Sequence, residues 1–128
     1  MNKFTAGTLA IFFIATFAVK ATEQEPEKFE AKMPVNVKSV IENKCFGCHN
    51  TDSRNDKAKE KLDFRTFHEL QTFKKVGALR DMADVLDEGE MPPKKFLERF
   101  PDRDLTDDER EILTTWVKQE AKDLIDNQ

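Results

Sequence analysis

Residues 45–49 read Cys45-Phe46-Gly47-Cys48-His49, and they hold both cysteines of the 128-residue chain and one of its two histidines. Two thiols separated by two residues on a tight helical turn point to one side, and an imidazole follows at once. That geometry matches a porphyrin edge: the sulfurs reach two vinyl groups to form thioethers, and the imidazole lies under the iron. The string is the CxxCH pattern of c-type haem attachment. Gly47 has no Cβ to collide with a flat macrocycle, and Phe46 is expected toward solvent or a neighbouring helix.

Two close cysteines serve other chemistry as well. A thioredoxin-like CxxC belongs beside a strand-helix-strand pattern, and no alternating apolar run in the chain reads as a strand. Structural zinc takes four ligands, for which only Cys45, Cys48, His49 and the distant His68 are available. A disulfide from Cys45 to Cys48 would close too small a loop to stabilise much. Haem attachment is the reading these comparisons favour.

The N-terminus agrees, because thioether attachment goes with export. Lys3 supplies a positive start, residues 9–19 are apolar, and Val19-Lys20-Ala21 resembles a cleavage site before Thr22. The apolar run is short for a membrane span, although an uncleaved anchor is the competing reading, since Lys20 is unusual beside a cut. Residues 1–21 are therefore read as a signal peptide, 22–33 as a flexible lead-in, and 34–128 as one haem-binding domain. Cleavage would remove Lys3 and Lys20 and no acidic residue, taking the formal charge from −4 to −6. An acidic chain of this kind gives no case for nucleic-acid binding.

The apolar pattern along residues 34–128 is helical throughout. Pro34 opens a segment in which Val37, Val40 and Ile41 recur at helical spacing and run into Cys45. Residues 50–61 are polar and charged, a loop with room for a helical turn. Phe64, Phe67, Leu70 and Phe73 predict a helix broken at Gly77. A further helix follows from about Leu79 to Gly89, with Met82, Val85 and Leu86 on one side. At the C-terminus, Thr106 and Glu109 form a capping box ahead of a stripe made by Ile112, Leu113, Trp116, Val117, Ala121, Leu124 and Ile125. The expectation is an all-α domain wrapped around one covalent haem.

With His49 on one face of the iron, the opposite position falls to Met91, His68, Met82 or Met33, or stays open. Met91 lies in Glu88-Gly89-Glu90-Met91-Pro92-Pro93, where two prolines stiffen the chain and Pro92 keeps Met91 out of helical geometry. Met82 sits in an amphipathic helix, where methionine is usually core. Met33 would have to fold back, and His68 follows Phe67 in a helix, where a lone histidine is usually structural. Met91 is favoured.

The chain resembles a family of small bacterial haem-binding domains of the c-type cytochrome class. The matching pieces are residues 40–49 with CxxCH, Leu62-Asp63-Phe64, the Gly89-Glu90-Met91-Pro92 string, Pro101, and residues 105–116 reading LTDDEREILTTW. The resemblance implies thioethers on Cys45 and Cys48, His49 as proximal iron ligand and Met91 as distal ligand. It also implies packing of the helix that carries Cys45 against the helix with Trp116. One departure is that family members commonly have an aromatic and proline-rich stretch soon after CxxCH, which residues 50–61 lack.

A haem closed by His49 and Met91 has no vacancy for substrate, so electron transfer between exported or membrane-bound redox partner proteins is expected, with no enzymatic turnover. Methionine ligation and apolar surroundings favour ferrous iron and raise the potential. The alternative is a haem enzyme or gas or peroxide sensor with a labile sixth ligand, His68 supplying the distal polar group. A third reading is a docked haem module serving one larger oxidoreductase. Lys94 and Lys95 form either a small steering patch for an acidic partner or an ordinary solvated loop.

Overall fold

The computed structural model describes residues 33–127, and the expected signal peptide and most of the expected lead-in lie outside them. Met33, expected in the lead-in, is partly buried against the core. Helix α1 spans Val35–Val40 and runs directly into a π-helical turn over Ile41–Cys45. Then come α2 (Asp56–Lys61), a 3₁₀ turn (Phe67–Glu69), α3 (Thr72–Asp87), α4 (Lys94–Leu97), a second 3₁₀ turn (Pro101–Arg103) and α5 (Asp107–Asp126). No strand occurs among the described residues, in accord with the all-α expectation. No helix among them is long and apolar enough to cross a membrane.

Two long helices, α3 and α5, pack against each other, and α1 lies on α5. Helix α5 starts as its sequence predicts: the Thr106 hydroxyl accepts from the Glu109 amide at 3.1 Å, and the Glu109 carboxylate accepts from the Thr106 amide at 3.0 Å. This capping box satisfies two amides that the first helical turn leaves free. Leu113, Trp116, Val117 and Ala121 then face inward, with Leu113 and Val117 wholly enclosed. From α3 come Val76, Leu79, Met82, Ala83 and Leu86, from α1 come Val37 and Val40, and from the π turn comes Ile41. Each large side chain buried there contributes about 1.5–3 kcal/mol by leaving water. The packing of the Cys45-bearing segment on the Trp116-bearing helix is as expected.

The middle of the chain differs from its expected form in three places. Phe64, Phe67, Leu70 and Phe73 recur every third residue, which suits the 3₁₀ period better than the α-helical one. The chain turns through Phe64, forms the 3₁₀ turn, and begins α3 only at Thr72. Phe64 and Phe67 are buried, whereas Phe73 lies on the outside of α3 and is 65% exposed. Gly77 does not end a helix: α3 passes straight through it, because its Val76 and Leu79 neighbours anchor the turn in the core. Residues 50–61, expected as a loop, include the six residues of α2, whose Asn55 side chain accepts from the Ala58 amide at 3.2 Å.

The segment from Pro101 to Asp104 is tied to the CxxCH region by two cations. Lys44 Nζ donates to the carbonyls of Asp102 and Asp104 at 2.9 and 2.8 Å, and the Arg103 guanidinium donates to the Asn43 carbonyl. The π turn and the entrance to α5 are thereby held side by side.

Gly77 is exposed, and a Cβ added there would meet no atom within 4 Å. Glycine costs a helix interior about 1 kcal/mol relative to alanine. Gly77→Ala should therefore raise the stability of the haem-loaded protein by about 0.5–1 kcal/mol, read as a higher denaturant midpoint. An unchanged or lower midpoint would contradict an uninterrupted α3.

Candidate functional site

The site grows from the way α1 ends. In the π turn the Phe46 amide bonds to the Ile41 carbonyl at 2.8 Å, five residues back, so the wider cycle keeps Ile41 buried while re-aiming the residues after it. The amides of Cys48 and His49 then both bond to the Cys45 carbonyl at 3.1 Å. Asn50, only 8% exposed, locks this turn: its side-chain amide donates to the Phe46 carbonyl and its oxygen accepts from the Asp52 amide at 2.8 Å. The polar composition of residues 50–61 hid this internal role.

His49 Nδ1 lies 3.0 Å from the Leu62 carbonyl. A carbonyl only accepts, so the proton sits on Nδ1 and the Nε2 lone pair is left for a metal. Leu62 is brought there by a closed loop. The Phe64 amide donates to the His49 carbonyl at 3.1 Å, and the Thr51 hydroxyl donates to the Asp63 carboxylate at 2.7 Å. The Asp63 carboxylate also accepts from the Arg65 amide at 2.9 Å. The Phe64 ring stands edge-on to the imidazole, with centroids 6.3 Å apart. The Leu62-Asp63-Phe64 string therefore orients His49, a role that its sequence alone did not reveal.

Opposite the CxxCH turn, α3 ends in a Schellman motif. Gly89 takes the left-handed conformation at φ 66°, the Gly89 amide bonds to the Leu86 carbonyl at 3.3 Å, and the Glu90 amide bonds to the Val85 carbonyl at 2.9 Å. This turn reverses the chain and brings Met91 back over the face of α3, followed by a buried Pro92. The Met91–Pro92 peptide is cis.

Two cavities meet between these elements. The larger, about 380 Å³, is lined by Cys45, His49 and Met91 together with the apolar side chains of Leu62, Phe64 and Met82. The smaller, about 110 Å³, has Cys45, Cys48, His49 and Met91 on its wall, with Pro93 and Phe96. All four residues singled out from the sequence thus border one apolar slot, an imidazole and a thioether among them and two thiols at its edge. Of the other candidate sixth ligands, Met82 lines the larger cavity from within α3 and is 8% exposed. Met33 and His68 line neither cavity, and His68 Nε2 lies 3.7 Å from the Glu69 carboxylate in the 3₁₀ turn rather than in the expected helix.

No disulfide joins Cys45 and Cys48. Burial pushes the Cys45 thiol up to about 12, helped by Cys48 and the Glu109 carboxylate, so in the folded chain it is protonated at neutral pH. Gly47 is exposed, and an added Cβ would meet no protein atom within 4 Å, so no protein contact demands glycine there. Phe46 is half-buried with the Arg65 guanidinium 5.5 Å above its ring. Among the described residues no group of three or more His, Cys, Asp or Glu side chains is placed to hold a bare metal ion.

A flat, largely apolar macrocycle suits the slot. Its walls are mainly apolar, its donors include one oriented imidazole and the thioethers of Met91 and Met82, and both are ligand types that haem iron accepts. Comparison with known proteins is in accord. No curated protein and no solved structure matches the chain. The family model described as a haem-binding domain matches residues 53–119, from the loop before α2 well into α5, a span that includes Met91 and leaves the CxxCH string just ahead of it. The match thus does not include the CxxCH string, and the chain belongs to the family of haem-binding domains.

Proposed function

We propose that the protein is an exported mono-haem c-type cytochrome that passes single electrons between redox partner proteins, with no catalytic turnover of its own. The observation that carries this reading is the placement of His49 and Met91 on the wall of one apolar cavity, with the Nε2 lone pair of His49 left free by the Leu62 carbonyl. Cys45 and Cys48 would hold the macrocycle through thioethers, and His49 and Met91 would offer its iron a nitrogen and a sulfur donor. The bound haem supplies a one-electron ferric-ferrous couple.

The chain's own residues set the conditions for that couple. Leu62 keeps the imidazole proton on Nδ1 and fixes the ring plane. Leu62, Phe64, Val85 and Leu86 would give a bound haem apolar surroundings that disfavour the more highly charged ferric state and raise the potential, while the Asp81 and Asp84 carboxylates on the same wall act in the opposite direction. A thioether in the sixth position raises the potential as well. With His49 and Met91 both engaged, the iron would have no position left for peroxide or a small gas. His68, the histidine an open-site enzyme would use, does not border the cavity. Export rests on the leader pattern of residues 1–21, and the periplasm or another exterior compartment is the corresponding location.

Two tests follow from this ligand set. The ferrous protein should be low-spin and indifferent to carbon monoxide. Met91→Ala should abolish the methionine-to-iron charge-transfer band and admit carbon monoxide while haem stays attached. Persistence of the band would shift the sulfur ligand to Met82. Replacing both thiols, Cys45→Ser with Cys48→Ser, should give protein from which acidified organic solvent extracts the haem. Haem that resists extraction from that double variant would overturn the thioether assignment.

A further inference from the structure

Arg110 reaches from the second turn of α5 to the far end of α3. Its Nη1 donates to the Leu86 carbonyl at 2.8 Å and faces the Met91 carbonyl at 3.5 Å, the outer limit of a hydrogen bond. Those two carbonyls lie at either end of the reversal made by residues 86–91. Leu86 is in the last turn of α3, where its carbonyl accepts only one backbone bond, the long 3.3 Å one from the Gly89 amide, and carries part of the negative end of the helix dipole. A guanidinium is permanently charged, and one of its nitrogens carries two N–H groups, so it can serve both carbonyls at once.

We propose that Arg110 is a positioning residue for the Met91 ligand: its guanidinium clamps the Leu86 and Met91 carbonyls together and so holds the thioether against the iron. The inference rests on Met91 as the sixth ligand. Prolines 92 and 93 stiffen the chain on one side of Met91, but on its other side stand Gly89 and Glu90, both exposed. Arg110 restrains that side. A thioether is a neutral, weak donor, so whether it stays on iron depends on how often the loop presents it. If the clamp is lost, the fraction of molecules with sulfur in place falls, and an added ligand gains apparent affinity in proportion. The clamp involves a charged hydrogen bond, so the gain should be about tenfold or more.

A second link between the same helices provides the control. Lys118 on α5 bonds to the Asp87 carboxylate on α3 at 2.9 Å, next to Leu86 in the chain and away from the two carbonyls that Arg110 meets. The test is imidazole titration of the haem-loaded ferric protein, with the charge-transfer band recorded alongside, for the native chain, Arg110→Gln, Arg110→Lys, Lys118→Gln and Met91→Ala. Arg110→Gln should raise imidazole affinity at least tenfold and weaken the band, while Lys118→Gln leaves both at native values. Arg110→Lys keeps the charge, but its ammonium ends one bond short of the position Nη1 takes, so it reaches the two carbonyls less well and should show a rise of a few-fold. It also carries the test alone if Arg110→Gln does not accumulate as holoprotein. Native affinity in the arginine variants, or an equal rise in Lys118→Gln, would overturn the clamp while leaving the ligand assignment intact. A Met91→Ala protein with native band and native imidazole affinity would instead remove the ligand assignment and the clamp with it.

Discussion

The contact between His49 Nδ1 and the Leu62 carbonyl organises the functional half of this molecule. An imidazole that is free to rotate offers either nitrogen, whereas one whose Nδ1 proton is committed to a backbone carbonyl offers a single lone pair along one line. To make that contact the chain must return from residue 49 to residue 62 in a closed loop. The polar residues of the loop serve this closure: Asn50 locks the turn behind it, Asn55 caps α2, and Asp63 bridges Thr51 and the Arg65 amide. A stretch that buries little hydrophobic surface is therefore shaped by hydrogen bonds that aim one ring.

The opposite wall is built on different physics. Helices α3 and α5 associate through apolar side chains, and the end of α3 is set by Gly89, the one residue with positive φ among the described residues. Its left-handed conformation allows the Schellman bonds that reverse the chain over α3, and the prolines after Met91 limit where the chain can go next. The imidazole is thus aimed by a polar loop and the thioether by a helix terminus. Both converge on a slot whose walls are otherwise part of the core, since Phe64, Met82 and Leu86 belong to both. A domain of about a hundred residues has little interior to spare, so the macrocycle counts as core material. Without it these side chains would border a void large enough to cost several kcal/mol, and the unliganded chain should be largely unfolded.

The legible parts of the sequence were those in which one physical rule acts alone. The capping box of Thr106 and Glu109 and the apolar stripe behind it predict where α5 starts and which face it buries, with Ile112 and Leu124 half-buried and Ile125 exposed. Cys45, Cys48, His49 and Met91 were marked by ligand chemistry and by the stiff chain around Met91, and they line one slot. The misread parts were those in which rules compete. A period of three in Phe64, Phe67 and Leu70 passes for an α-helix until the 3₁₀ alternative is considered. Gly77 looks like a stop signal, but the core contacts of Val76 and Leu79 on either side outweigh its poor helix propensity. The π turn before Cys45 and the internal hydrogen bonds of Asn50 had no signature in composition, because a buried asparagine and a loop asparagine look the same in sequence.

The account stands on one iron porphyrin joined to the chain through sulfur and held between nitrogen and sulfur ligands. Intact mass of the exported protein under denaturing conditions, read together with its pyridine haemochrome spectrum, tests it most directly. The account predicts one species at the mass of the leader-free chain plus one haem, with the absorption of a haem whose vinyl groups are saturated. A colourless product at the mass of the bare chain, with both thiols open to alkylation after passage through a competent maturation system, would contradict it.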